Sequence, residues 1–330
     1  MQSLENSNNR ASSSRRPLFS PLVVNPLRTQ GNLHFPDGSA FYNQKHNMII
    51  TNTDDHTIQF YDATTLLPLK GREPKKLDSL IADFSYHQET DTYLLSCEGG
   101  YIYSYNASRH ELKQLKEFEE YVIAIEFVSS SFYVFSIIER QEFYLGILNS
   151  NKIFPIRSKN RNSYCFHHLA QKKLLFVSLD NGTVIIYRTD NLPKMPIFCS
   201  ISAHKVSHAV VRIQSGILNG KEIVMTATKD MKIKIWQITR GTMRLLRVIQ
   251  IKERTGGFVY LESYKMIAMI CGSNSIQFWS ITSGKLEKAL DMDKNERYVL
   301  FLMKDKNTVG VPRCRTNLIE FIQLYSRGDR

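Results

Sequence analysis

One property constrains this chain before any other: a turn-then-strand unit returns about every 43 residues, with no helical stretch inside it. From residue 22 onward, apolar runs of four to seven residues alternate with clusters of Asn, Asp, Gly, Ser and Lys. The runs are rich in β-branched and aromatic residues, which at this length favours strands. Six units read directly as a turn followed by a strand. They are Ile58–Asp62 after Asp54-Asp55-His56, Tyr101–Asn106 after Gly99-Gly100, and Val184–Arg188 after Asp180-Asn181-Gly182. The others are Ile233–Gln237 after Lys229-Asp230-Met231, Ile276–Ser280 after Gly272-Ser273-Asn274, and Ile319–Gln323 after Arg315-Thr316-Asn317. A further, less regular unit has Phe143–Gly146 after Arg140-Gln141-Glu142.

The marker positions Tyr61, Tyr105, Leu145, Tyr187, Trp236, Trp279 and Ile322 lie 44, 40, 42, 49, 43 and 43 residues apart. A period of this size, filled by several short strands, excludes helical solenoids and matches one four-stranded propeller blade per repeat. A lone sheet cannot hide two apolar faces, and stacking around an axis buries both. The expected fold is therefore all-β: a seven-bladed β-propeller over residues 20–330, behind a disordered polar and basic tail at residues 1–19. After Tyr325 the chain has five residues left, too few for a fourth strand in the last unit. The N-terminal strand Leu22-Val23-Val24-Asn25 is expected to complete that last blade and so close the ring.

The segment from Ser202-Ala203-His204, through Val224–Asp230, to Ile235-Trp236-Gln237 resembles the WD-repeat family. In that family a Gly-His dipeptide opens a repeat and a Trp-Asp dipeptide ends its third strand. Here the two read Ala203-His204 and Trp236-Gln237. The resemblance implies a structural hydrogen-bonded array of His204, Asp230, Thr226 or Thr228, and Trp236 inside one blade. Trp279 repeats the tryptophan in Phe278-Trp279-Ser280, and both tryptophans are expected to wedge between blades. The resemblance also implies a scaffold or adaptor that recruits peptides or other subunits of a multiprotein complex.

The formal net charge is +12, a balance that attracts RNA, acidic protein segments or anionic headgroups alike. Two basic groups stand out: Lys152, Arg157, Lys159, Arg161, Lys172 and Lys173, then Arg240, Arg244, Arg247, Lys252 and Arg254. A third comprises Lys70, Arg72, Lys75 and Lys76. These are candidates for a contact surface on the faces or rim, either solvated or meeting phosphate or an acidic partner. The alternative function is thus an RNA-associated subunit of a ribonucleoprotein or ribosome-biogenesis complex. No recognisable RNA-binding module supports base-specific reading.

A search for chemistry finds little. His167 and His168 are adjacent on an expected strand and point to opposite faces. Cys165 and His167 share a face, two ligands where zinc takes three or four. No P-loop, Gly-x-Gly-x-x-Gly, Gly-x-Ser-x-Gly or His-Glu-x-x-His sequence occurs in the chain. The expectation is no catalysis, no metal and no cofactor. Five scattered cysteines without a Cys-x-x-Cys pair, and no apolar leader or membrane span, place the chain in the nucleus or cytoplasm and not among secreted proteins.

Overall fold

The apolar runs pair with their sequence neighbours as antiparallel hairpins, four strands to a sheet. A computed structural model describes residues 19–23, 40–53, 55–157, 161–205, 208–228, 230–253, 255–272, 275–291, 301–302, 308–313 and 318–326. Strand β1 is Phe19–Val23. The first blade comprises β2 (Ala40–Asn43), β3 (Met48–Asn52), β4 (Thr57–Asp62) and β5 (Lys75–Lys76). The second comprises β6 (Ile81–His87), β7 (Thr92–Cys97), β8 (Tyr101–Asn106) and β9 (Glu111–Glu117). In the third are β10 (Val122–Phe127), β11 (Phe132–Ile137), β12 (Glu142–Ile147) and β13 (Ile153–Arg157). In the fourth are β14 (Ser163–Leu169), β15 (Leu174–Leu179), β16 (Thr183–Arg188) and β17 (Ile197–Ser202). The fifth holds β18 (Val210–Leu218), β19 (Lys221–Thr228), β20 (Lys232–Thr239) and β21 (Thr242–Gln250). The sixth holds β22 (Thr255–Leu261), β23 (Met266–Cys271), β24 (Ser275–Ser280) and β25 (Leu286–Asp291).

The expectation of a seven-bladed propeller closed by an N-terminal strand that completes the last blade is corrected here. Among the described residues the chain builds six self-contained blades of four consecutive strands, not seven, and they occupy Ala40–Asp291. What remains is a sheet of mixed origin, in the order β1, β28 (Leu318–Ser326), β27 (Thr308–Arg313) and β26 (Phe301–Leu302). Among the described residues, its innermost strand has two residues and two ladder pairs with β27. β1 aligns Phe19 with Ser326 and Val23 with Ile322. The strand expected at Leu22–Asn25 is thus displaced toward the N-terminus, and residues 24–39 lie outside the described ones. β26 lies against β22 and β2. Of the proposed tail, only Phe19 is described.

Packing between blades is apolar and specific. Trp236 stands among residues of the fourth and fifth blades, with Leu174, Phe176, Val184 and Ile186. Trp279 is buried against Ile223, Met225, Ile233 and Ile235 of the fifth. Tyr105 and Tyr187 are likewise buried at the boundary with the preceding blade. The third blade departs from the sequence reading by one residue. Leu145 faces the following blade, beside Leu175, Val177 and Tyr187, while Tyr144 faces the preceding one, beside Leu94 and Ile102. A one-residue step on a strand reverses the face, and by ladder register the position of Tyr105 is taken here by Gly146, with the Tyr133 ring where a side chain would stand.

Two small features recur from blade to blade. The hairpin between the first two strands ends in a left-handed residue at Asn47, Asp91, Lys173 and Lys265. Their carbonyls accept from the residue after the third strand: Ala63, Ala107, Thr189 and Ile281, at 2.8–2.9 Å. On the opposite face, the left-handed residues His56, Gly100 and Met231 accept from the residue after the outer strand, and Gly182 from the second residue after it. Gly100 is the strictest of these, with φ +87° and with the carbonyl of Phe118 where a Cβ would stand. Replacing Gly100 with Ala is expected to destabilise the protein by about 2 kcal/mol or more, since a left-handed backbone and a backbone clash combine. Urea unfolding of the variant measures this, and an unchanged midpoint contradicts the account.

Candidate functional site

The innermost strands carry a set of buried polar side chains. In β6, β10, β14, β18 and β22 the ladder to the second strand shifts register after the first residue, leaving Ala82, Ile123, Tyr164, Val211 and Gly256 as extra residues. Such bulges re-aim the side chains that follow. Third in each strand stand Asp83, Ala124, Cys165, Arg212 and Gly257; fifth stand Ser85, Glu126, His167, Gln214 and Val259. The Arg212 guanidinium, on the fifth blade, acts electrostatically on Asp83 of the second, Glu126 of the third, and Cys165 and His167 of the fourth. Side chains on four blades meet in this way only if all point to the common axis.

These side chains also join neighbouring blades. Asp83 Oδ2 accepts from the Ile125 amide at 3.1 Å, and Ser85 Oγ from the Phe127 amide at 3.0 Å. Glu126 Oε1 accepts from the His168 amide at 3.2 Å, and Gln214 Oε1 from the Tyr260 amide at 3.2 Å. His167 Nε2 and Ser215 Oγ are 2.8 Å apart, and Cys165 Sγ donates to the Val210 carbonyl at 3.7 Å. Burial pushes the Asp83 carboxyl up to about 6 and that of Glu126 up to about 8. Burial drives His167 and His168 down to about 4, so both rings are neutral at pH 7. His168 turns away from His167 and lies 3.0 Å from Thr189 Oγ1. Among the described residues, no group of three or more His, Cys, Asp or Glu side chains is placed to hold a metal ion.

The residues implied by the WD-repeat resemblance come together in the fifth blade. Trp236 Nε1 donates to Thr226 Oγ1 at 3.0 Å, and His204 Nε2 lies 3.0 Å from the same hydroxyl. His204 Nδ1 is 3.1 Å from Thr228 Oγ1 and 3.5 Å from Asp230 Oδ1, and Thr228 donates to Asp230. Both threonines take part. Burial lowers the His204 pKa to about 4, against the opposing pull of Asp230. Trp279 stands apart from this array, its Nε1 donating to Gln277 Oε1 at 3.0 Å.

A second polar centre, unforeseen in the sequence, joins the first and second blades. Asp91 is buried, 2.6 Å from His46 Nε2 and 3.5 Å from Lys45 Nζ. It also accepts from Tyr86 at 2.7 Å and from Ser108. Burial alone raises its pKa, but the hydrogen bonds from Ser108, His46 and Tyr86 outweigh it and hold the carboxyl well below the usual range. Arg72 reaches the Tyr105 hydroxyl at 3.1 Å and the Ala107 carbonyl, so this basic residue also serves the boundary between blades.

The other basic candidates do not converge. Alternating hairpins place the turns between first and second strands, and between third and outer strands, on one face, here the upper. The remaining connections form the lower face. Lys152, Lys172, Lys173 and Arg240 are on the upper face, Arg161 and Lys252 on the lower, and Arg157, Arg244 and Arg247 on outer strands. Lys159 and Arg254 lie outside the described residues. Lys172 pairs with Glu222 at 3.2 Å, and Arg247 donates to the Ser283 carbonyl at 3.0 Å.

Charge nevertheless sorts between the two faces. Described connections of the upper face carry Lys45, Lys70, Arg72, Arg109, Lys152, Lys172, Lys173, Lys194, Arg240, Lys265 and Lys285, against Glu73, Glu89, Asp91, Asp190 and Glu262. Those of the lower face carry Asp55, Asp78, Glu98, Glu119, Glu120, Glu139, Asp180, Asp230 and Glu253, against Arg140, Arg161, Lys205 and Lys252. Among the described residues, the upper connections are therefore basic and the lower ones acidic.

Of the cysteines, Cys97, Cys165, Cys199 and Cys271 are free thiols. Burial pushes those of Cys97, Cys165 and Cys271 up to about 12, which removes their nucleophilic form at neutral pH. Cys314 lies outside the described residues. Among the described residues, no helix is long and apolar enough to cross a membrane.

No known family pattern matches the chain, and no curated protein matches its sequence. Among solved structures, the β-propeller domain of Cps50 (Swd1) from Myceliophteria thermophila is similar in fold. It shares 12% identity at a TM-score of 0.75, over 93% of this chain and 100% of that domain. The fold is a β-propeller. At that identity, the likeness is one of fold alone.

The two buried carboxylates give opposite pH signatures. Glu126 holds its proton in the folded state up to about 8, whereas an unfolded glutamate loses it near about 4.3. Its contribution is fully present below the unfolded value and is lost as pH rises through that window. Glu126→Gln is expected to flatten the loss of urea resistance between pH 5 and pH 8, both about, and to be the more stable protein at the upper end. Asp91 behaves in reverse, its contribution present above the unfolded value near about 3.9 and lost as pH falls. Asp91→Asn is expected to cost about 2 kcal/mol at neutral pH and progressively less in acid. Parallel slopes for wild type and both variants contradict these assignments.

Proposed function

We propose that this chain is a non-catalytic WD-repeat subunit that docks other proteins within a multiprotein complex. The observation that carries the reading is the sorting of charge among the described connections, basic above and acidic below, on one frame. Such a frame presents many loops in fixed relation while the strands beneath stay unchanged. Opposite charge on the two faces sets the orientation of incoming partners and speeds their encounter, with the basic face suited to acidic protein segments. The buried polar groups support the same reading. Asp83, Glu126, His204 and Asp91 each bond to a neighbouring blade or within one, and so serve the frame.

The RNA-associated alternative draws on the same cations. They are divided between both faces and the outer strands, which does not favour a continuous track for a phosphate backbone.

The deciding experiment is a tagged pull-down of the full chain from native lysate at about 0.15 M and about 0.5 M salt, with and without ribonuclease. The expected result is a stoichiometric set of proteins that survives ribonuclease and the higher salt. Partners that leave with ribonuclease transfer the case to RNA, and a chain recovered alone under every condition overturns the docking reading.

A further inference from the structure

Blade five is built differently from its neighbours. Its strands run eight or nine residues, where those of the fourth and sixth blades run six or seven. The surplus is all at the upper end. β20 extends three residues past Trp236, while β16 and β24 extend one past Tyr187 and Trp279. Two extra residues at about 3.3 Å each raise this blade by roughly 7 Å above the disc. Blade six braces the projection: Tyr260 donates to the Ile217 carbonyl at 2.7 Å, and Lys265 reaches Asn219 at 2.7 Å.

The outer strand of this blade, β21, is an edge nine residues long. Natural sheets blunt such edges with charge, proline or brevity. Four other outer strands follow that rule: β9 reads ELKQLKE, β25 reads LEKALD, β13 contains Pro155, and β5 has two residues, whereas the six-residue β17 reads IFCSIS and exposes Ile197. β21 is the longest of these edges, carries its charge on one side only, at Arg244 and Arg247, and exposes Leu245, Leu246 and Val248 by 41–42% each.

The register sorts these side chains. Leu245 is paired with Trp236 and Val248 with Lys234, on the side facing blade four. Arg244 is paired with Gln237 and Arg247 with Ile235, on the side facing blade six. The extra residue Leu246 between Leu245 and Arg247 keeps this division across the bulge. One side of the free edge is thus apolar and the other cationic.

We propose that β21 is a docking edge that pairs with an extended segment of a partner protein in which apolar and acidic residues alternate. The inference rests on the docking role proposed above and names the kind of partner that this edge takes. A strand added there gains main-chain hydrogen bonds, and alternation brings apolar residues over Leu245 and Val248 and carboxylates over Arg244 and Arg247. A second copy of this chain fits poorly, because antiparallel pairing of β21 with itself brings arginine against arginine.

The test uses the full chain with acetyl-(Glu-Val)4-amide as the probe and acetyl-(Lys-Val)4-amide as the control. With the acidic peptide at about 1 mM, hydrogen exchange of β21 amides is expected to slow about tenfold while that of β9 is unchanged. Leu245→Glu with Val248→Glu is expected to weaken binding about tenfold at an unaltered melting temperature. Arg244→Glu is a second, independent variant, and is expected to move preference toward the lysine peptide. Absent protection of β21, equal protection of β9, or equal binding of both peptides overturns the proposal. Protection that is present without peptide and fades on dilution identifies a second copy as the occupant and also overturns it. A pull-down partner set unchanged by Leu245→Glu with Val248→Glu sinks this edge while leaving the docking role intact.

Discussion

An innermost propeller strand is paired on one side only. Its other edge faces the axis, where its amides find no further strand, and an unpaired buried amide costs about 1–3 kcal/mol. This protein meets that demand with side chains from the preceding blade. Asp83 and Ser85 serve Ile125 and Phe127, Glu126 serves His168, and Gln214 serves Tyr260. The same bonds fix the rotation of each blade against the next, and so the alignment of the apolar surfaces outside them. Trp236 and Trp279 fill gaps whose width is set near the axis. Changes at the axis therefore reach the rim through packing.

Placing carboxylates there has an electrostatic consequence. Asp83 and Glu126 stand in low-dielectric surroundings that favour their neutral forms, and the nearby Arg212 compensates in part. Asp91 shows the opposite solution. With four partners, its charge is favoured despite burial. Acids on one frame thus hold opposite preferences because Asp91 has neighbours that donate to it from several directions while Asp83 and Glu126 have few.

Much of the architecture was legible in the sequence because it depends on periodic, short-range signals. The third strands of six blades are those marked by Tyr61, Tyr105, Leu145, Tyr187, Trp236 and Trp279. In the third blade the phase slipped by one residue, since Phe143, Tyr144 and Leu145 are all apolar and alternation offers no choice among them. The count failed at the chain ends, where the strands come from both termini and no repeat spans them. The axial residues were missed for a different reason. Asp83, Ala124, Cys165, Arg212 and Gly257 recur at 41, 41, 47 and 45 residues, a beat hidden by their chemical dissimilarity. Only alignment on the extra residue before each reveals it. The charge of the two faces was illegible until hairpin direction assigned each loop to a side.

The height of blade five bears on how such a disc is read. Repeated blades are near copies related by rotation, so a partner that recognises only their shared shape faces several almost equivalent orientations. Among the six blades of four consecutive strands the fifth alone is tall, braced by Tyr260 and Lys265, and it breaks that degeneracy. It works as an index mark on a dial: a partner that touches it and one other loop has its azimuth determined, whatever the sequence of the blades between.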